Sequence, residues 1–276
     1  MRCFRRHWSY SAINQYLRCP LQYYFERVLR LPKPTVGSGL VLGGAVHEAL
    51  AYYHNKLRKG HVANIQKVER VFAQAWISRE ADQQIQYKRG DTRVSQLAVG
   101  IGLLETYLQQ PPPKNILHVE QELIVPLVNS QGEFLETPLV AVLDLITSSD
   151  DGIKVHELKT SARSYGQFDV DTSLQASCYA HASRSQFEVP VEVEFAVLVK
   201  TKTPKLQRIS TVRFQEDSPR LGDLVENIER AVQLEIYYPI ESPLNCSGCP
   251  FREPCREWAP HRISSAHQQL ELNGAP

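Results

Sequence analysis

No apolar run in this 276-residue chain approaches the ~20 residues that a membrane-spanning helix requires, and no membrane association is expected. The opening residues, Met1 to Trp8, are basic but have neither an apolar signal core nor a small-residue cleavage site, so the expected location is the cytoplasm. In that compartment the six cysteines are not expected to form a disulfide framework. Charge of one sign is also missing: 31 Lys and Arg against 30 Asp and Glu leave a net charge of +1, with no global basic field. Any nucleic acid must then be held by local patches. The candidate patches are Arg2, Arg5 and Arg6, and the group Lys200, Lys202, Lys205 and Arg208 around Pro204. There is no internal repeat, no low-complexity tract and no Gly-x4-Gly-Lys-Ser/Thr phosphate loop.

With 22% charged and 42% apolar residues, the composition is that of an ordinary globular protein, long enough for one large domain or two small ones. Ser9 or Ser11 caps a first helix carrying Ile13, Tyr16 and Leu17, which Cys19-Pro20 interrupts before Leu21 to Leu31 resumes it. Lys33-Pro34 and Gly37-Ser38-Gly39 read as a loop, and Gly43 to Leu57 as a helix. A mostly helical block over 60–110 carries Val68, Val71, Phe72, Ala75 and Trp76 on one face, and Leu97, Ile101, Leu104 and Leu108 on another; Pro111 to Pro113 end it. Strands are expected over Ile116 to Val128, Phe134 to Ile146 and Ile153 to Lys159. A helix over Leu174 to Ala182 comes next, then a hairpin of Val191 to Lys200 with Leu206 to Phe214, and a long helix begun by Ser218-Pro219. The order predicts an α/β or α+β domain with a mixed central sheet flanked by helices, the block 60–113 being a helical insertion over one side of the site.

The chemistry concentrates on one hairpin. Leu139 to Ile146 is apolar and branched, as a buried strand would be, yet it contains Asp144. The turn Ser148 to Gly152 returns the chain as Ile153 to Lys159. Centred on Asp150-Asp151, the turn sets Asp144 opposite Glu157; centred on Asp151-Gly152, it sets Asp144 opposite Lys159. In either register Asp144, Glu157 and Lys159 share a face, since residues two apart on a strand point the same way. A buried unpaired carboxylate is expensive to desolvate, and a bound cation would resolve that cost. Two acids and a lysine are also the groups that hold a divalent cation and orient water against a phosphodiester. Glu120, in the preceding strand, is a further candidate acid.

Cys246-x2-Cys249-x5-Cys255 is a compact set among Gly248, Pro250 and Pro254, one ligand short of a four-cysteine site. Cys19, before a proline at a helix break, is the best fourth ligand; Cys3 stands at the terminus, and Cys178 lies in a helix as a small core residue. Spacing alone leaves zinc and an iron–sulfur cluster equally open. Either would tie the beginning of the chain to its end.

Six elements together resemble the iron–sulfur branch of RecB-like nucleases in the PD-(D/E)XK superfamily, the branch that includes the AddB nuclease domain and the nuclease of CRISPR spacer acquisition. They are Ser11 to Cys19-Pro20, Gly43-Gly44-Ala45-Val46-His47, Asp144, Glu157-Leu158-Lys159-Thr160, Gln175-x3-Tyr179, and the three C-terminal cysteines in the segment 243–260. The resemblance implies a single nuclease domain over 1–276 with a restriction-endonuclease-like core. It implies a [4Fe-4S] cluster on Cys19, Cys246, Cys249 and Cys255. His47, Asp144, Glu157 and the Leu158 carbonyl would bind Mg²⁺ or Mn²⁺. Lys159 would orient or activate water, and Gln175 and Tyr179 would lie beside the site. Ala141 stands where the family often has glycine, and the acid two residues before the lysine is Glu rather than Asp.

The resemblance implies a metal-dependent DNA nuclease, most simply an exonuclease on single-stranded or frayed ends in DNA repair, recombination or CRISPR adaptation. Without a phosphate loop it would rely on a helicase or another repair or CRISPR subunit, or on an open end. The alternative is a cluster-stabilised DNA-binding scaffold subunit of a larger repair complex.

Overall fold

A computed structural model describes residues 7–33, 35–62 and 64–258. Arg2, Cys3, Arg5, Arg6, Pro34 and positions 259–260 of the cysteine segment lie outside the described residues. In chain order the helices and strands are α1 (Tyr10–Arg18), α2 (Pro20–Tyr23), a π-helical turn (Tyr24–Val28), β1 (Thr35–Gly37), α3 (Ser38–Arg58), α4 (Ile65–Asp82), β2 (Gln84–Gln86), α5 (Arg93–Leu108), β3 (Ile116–Val125), β4 (Leu139–Ser149) and β5 (Gly152–Ser161). They continue as α6 (Gln167–Asp171), α7 (Leu174–Phe187), β6 (Val191–Val199), β7 (Lys205–Val212), α8 (Asp217–Gln233), α9 (Pro243–Cys246) and α10 (Arg252–Glu257). The chain divides into two compact units, Met1–Tyr10 with Pro34–Glu226, and Ser11–Lys33 with Asn227–Pro276. Among the described residues no helix is long and apolar enough to cross a membrane.

The first unit is built on a five-stranded mixed sheet in the order β3-β4-β5-β6-β7. All neighbours are antiparallel except β5 and β6, whose parallel pairing requires the crossover through α6 and α7. The β4–β5 hairpin pairs Leu145 with His156 and Ser149 with Gly152, so the turn is Asp150-Asp151. Gly152 adopts φ +150°, and a side chain there would collide with the Pro190 carbonyl. Alternation along β5 divides its residues between two layers. Leu158 joins Ala196 and Leu198 in a core with Val46, Leu50, Phe72 and Trp76 of α3 and α4. Glu157 and Lys159 face the other way, where Gln175 of α7 meets both.

Three expectations change at this level. Helix α3 begins at Ser38, five residues before the expected start, because Gly37 holds the extended conformation of an N-cap and Ser38 and Gly39 continue the helix. The buried stripe of α5 is Gln96, Gly100, Leu103, Leu104 and Tyr107, with Leu97, Ile101 and Leu108 only at its margin. Gly100 sets this rotation, since its bare backbone admits the Phe72 ring of α4 where any side chain would overlap it. The second strand starts at Leu139 rather than Phe134; Phe134 makes only an isolated bridge to Val128 and is exposed.

The second unit brings the segments 11–33 and 227–258 together. Cys19 is extended (φ −165°, ψ 101°), as a residue before proline must be, and Pro20 starts α2 at a position that needs no N–H. Leu21 N–H donates to Tyr238 O at 3.0 Å, and Asn245 Nδ2 donates to Arg18 O at 2.9 Å. Tyr24 packs on Tyr237 and Phe25 on Phe251, with ring centroids 4.5 and 5.9 Å apart.

Candidate active site

One step beyond the last β4–β5 pair, the register sets Asp144 opposite Glu157, the first of the two hairpin alternatives. Both carboxylates are buried, at 7% and 3% exposure. Asp144 Oδ2 accepts from the Leu158 N–H at 2.7 Å, and Oδ1 lies 3.4 Å from His47 Nδ1 of α3. Burial pushes the Asp144 carboxyl up, but the His47 contact and the Leu158 amide outweigh it and hold the group below its usual range.

Glu157 has the opposite balance. Its Oε1 accepts from Lys159 Nζ at 2.7 Å and from Gln175 Nε2 at 2.8 Å, whereas its Oε2 is buried with no hydrogen-bond partner among the described residues. Burial and then the Asp144 charge push its pKa up to about 7. Gln175 completes the network: Oε1 accepts from Lys159 at 2.7 Å, and Nε2, with two protons, serves Glu157 and the Tyr179 hydroxyl, each at 2.8 Å. Spaced four residues apart on α7, Gln175 and Tyr179 are adjacent on that helix. Burial tends to lower the Lys159 pKa, and Glu157 more than restores it, so Lys159 stays charged.

A cleft of about 680 Å³ reaches this network at His47 of α3 and at Leu158 and Lys159 of β5, with Gly43, Gly44 and Thr160 also among its walls; Asp144 and Glu157 are not in its lining. The two glycines explain themselves by distance. A methyl at Gly43 would lie 3.2 Å from the Thr160 hydroxyl, and one at Gly44 would lie 2.9 Å from Arg79 Nε. Bare backbone there lets α3 carry His47 to Asp144. Far from being a core histidine, His47 keeps 30% of its side chain exposed in the cleft.

Glu120 also lines the cleft. It holds φ +51° within β3, a strained value for a non-glycine residue, and is exposed although partial burial, then Asp144, push its pKa up to about 7. Sequence reasoning did not single out Arg79 and Glu48, which line the same wall, nor Tyr10, which is close enough to feel the Lys159 charge. An exposed helical Arg–Glu pair carries no sequence signal of its own. In the basic group around Pro204, Lys200 approaches the cleft wall at Gly39, whereas Arg208 is taken by Glu194 at 2.5 Å.

Among the described residues no three His, Cys, Asp or Glu side chains are grouped to hold a metal ion as they stand. The donor chemistry beside the cleft nevertheless suits a hard divalent cation: an imidazole and two buried carboxylates, one of whose oxygens, Glu157 Oε2, has no hydrogen-bond partner among the described residues. In the second unit Cys19, Cys246, Cys249 and Cys255 are partly exposed. Burial raises the Cys255 thiol, and Cys19, Cys249 and Cys246 raise it further, so the four are close enough to act on one another. Phe251 N–H donates to Cys249, the backbone donor that a thiolate ligand favours. Cys178 is fully buried, its thiol pushed up to about 12 by burial, as a core residue's should be.

A putative exonuclease from Eubacterium rectale shares the fold, with a TM-score of 0.55 and 11% identity over 92% of this chain and 88% of that one. A second solved protein, SSO0001, is 14% identical over 87% of this chain and 94% of its own, but its TM-score of 0.35 is too low to carry an argument. No curated protein matches the sequence. The model of the PD-(D/E)XK nuclease superfamily matches residues 7–256, from beside the first helix to the last cysteine. A match of that extent shows the family, and the chain belongs to the PD-(D/E)XK nuclease superfamily.

Proposed function

We propose that this protein is a divalent-metal-dependent deoxyribonuclease that digests single-stranded or frayed DNA from an end. The observation that carries the reading is the divided state of Glu157: one oxygen is held by Lys159 and Gln175, and the other is buried with no hydrogen-bond partner among the described residues. Asp144, Glu157, His47 and the Leu158 carbonyl would hold Mg²⁺ or Mn²⁺. Such an ion supplies Lewis acidity toward a phosphoryl oxygen and makes water more acidic.

The chain's own groups supply the rest. The Leu158 amide and His47 keep Asp144 ionised and oriented. Lys159, fixed between Glu157 and Gln175, places a positive charge where negative charge develops on the phosphate. Gln175, bonded to Tyr179, holds both Glu157 and Lys159 in position.

A [4Fe-4S] cluster on Cys19, Cys246, Cys249 and Cys255 is part of the proposal, as a brace within the second unit. So is a place in DNA repair, recombination or CRISPR adaptation beside a helicase or another partner that opens the duplex, since the sequence has no phosphate loop to drive unwinding.

The test compares end-labelled linear single strands, circular single strands and blunt duplex with Mn²⁺. Degradation of the linear single strand alone is the expected result. Equal cleavage of the circle would overturn the exonuclease reading, and faster digestion of the duplex would overturn the strand preference.

A further inference from the structure

Arg79 projects from the last turn of α4 onto the cleft wall. Its Nη1 donates to the Ala75 carbonyl one turn back, at 2.8 Å, and to Glu48 Oε2 of α3, at 3.0 Å. The guanidinium lies against Gly44, where even a methyl group would come within 2.9 Å of Nε. Nε and Nη2 have no hydrogen-bond partner among the described residues, although the side chain is only 34% exposed. Arg79 is therefore held in place while much of its donor capacity stays open. Lys159, on the same wall, is committed to Glu157 and Gln175.

Arg79 also marks a junction. A second depression of about 330 Å³, with Val36, Asp82 and Gln83 in its lining, shares Arg79 and Leu40 with the catalytic cleft. A polyanion leaving His47 and Lys159 along this path meets Arg79 where the two hollows join. Beside it the wall presents Glu48 and Glu120, and the remaining basic groups are His47, held by Asp144, the committed Lys159, and Lys200 near Gly39. Guanidinium suits the task because its planar fork binds phosphate through two parallel bonds, which an ammonium group cannot copy.

We propose that Arg79 binds a backbone phosphate of the DNA strand and steers it from the catalytic cleft into the adjoining groove, with Glu48 and Gly44 positioning the guanidinium. The proposal rests on the nuclease reading above.

The test measures binding of a labelled 12-nucleotide single strand by fluorescence anisotropy in EDTA across a salt series, together with kcat and KM in Mn²⁺. Arg79→Ala is expected to weaken binding about tenfold, as loss of one charge-assisted contact should. It should also reduce the salt slope by about 0.7, the share of one phosphate on a single strand. KM should rise, with a much smaller change in kcat. Arg79→Lys, which keeps the charge and the stem, should retain the salt slope and recover only part of the affinity. An Arg79→Ala protein with unchanged affinity and salt slope would overturn the proposal, as would a loss confined to kcat. Absence of cleavage by the wild-type protein would instead refute the nuclease reading, so the two failures are distinct.

Discussion

Lys159 Nζ lies 2.7 Å from Glu157 Oε1, and the second oxygen of that carboxylate is buried with no hydrogen-bond partner among the described residues. A side chain split in this way is costly in the folded protein alone, because a buried polar atom without a partner loses its hydration and gains nothing. A cation at Oε2, as proposed, would recover that loss. Function and stability would then be coupled at one atom.

Metal binding should therefore be visible without any substrate. Mn²⁺ at one hundred times its dissociation constant should stabilise the wild-type protein by about 2.7 kcal/mol in thermal unfolding. Glu157→Ala should lose most of that gain. An equal stabilisation of the variant would place the metal elsewhere.

The pH dependence of stability should show the Glu194 cluster. Burial raises the Glu194 carboxyl, but His156 at 3.0 Å and Arg208 at 2.5 Å outweigh it and hold the pKa at about 2. A group with a depressed folded pKa contributes stability above its unfolded value, near 4.5, and loses it as pH falls toward 2. Urea unfolding between pH 7 and pH 2.5 should show this loss. In Glu194→Gln the contribution, about 2–3 kcal/mol at pH 7, should be absent along with that part of the acid slope. An unchanged acid slope in the variant would show that the cluster does not set it.

Gly100→Ala should destabilise the first unit even though alanine favours helix. Propensity offers about 1 kcal/mol, whereas a methyl group would overlap the Phe72 ring. Overpacking of this kind costs about 1–3 kcal/mol. Thermal unfolding decides the sign, and a more stable variant would show that the α4–α5 contact is loose.

How much of this was legible in the sequence follows from what each signal depends on. The Asp144–Glu157 hairpin could be read because an acid in an apolar strand and a tight polar turn are local features. Gln175 and Tyr179 were implied by the resemblance to the nuclease family; their spacing of four adds only that they share a helix face. The early start of α3 was obscured by Gly37 and Gly39, residues that favour loops until packing overrides them. The rotated face of α5 depends on an absent side chain, Gly100, meeting a ring from another helix. Arg79 and Glu48 come from different helices 31 residues apart, and only the tertiary fold brings them to one wall.

Anaerobically purified protein should absorb near ~400 nm and contain about four irons per chain, as a cubane on four thiolates requires. Cys249→Ser should make the segment 227–258 sensitive to protease while the first unit stays resistant. Stoichiometric zinc without iron would refute the cluster. A folded, protease-resistant variant that lost only cleavage would refute its bracing role.

The most direct test of the central claim is digestion of end-labelled single-stranded DNA with Mn²⁺ by the wild type, Asp144→Ala and Lys159→Ala. The wild type should degrade the strand, and each variant should be slower by about a hundredfold or more, as expected when a metal ligand or a transition-state charge is removed. Full activity in either variant would contradict the assignment of the Asp144, Glu157 and Lys159 face as the catalytic site.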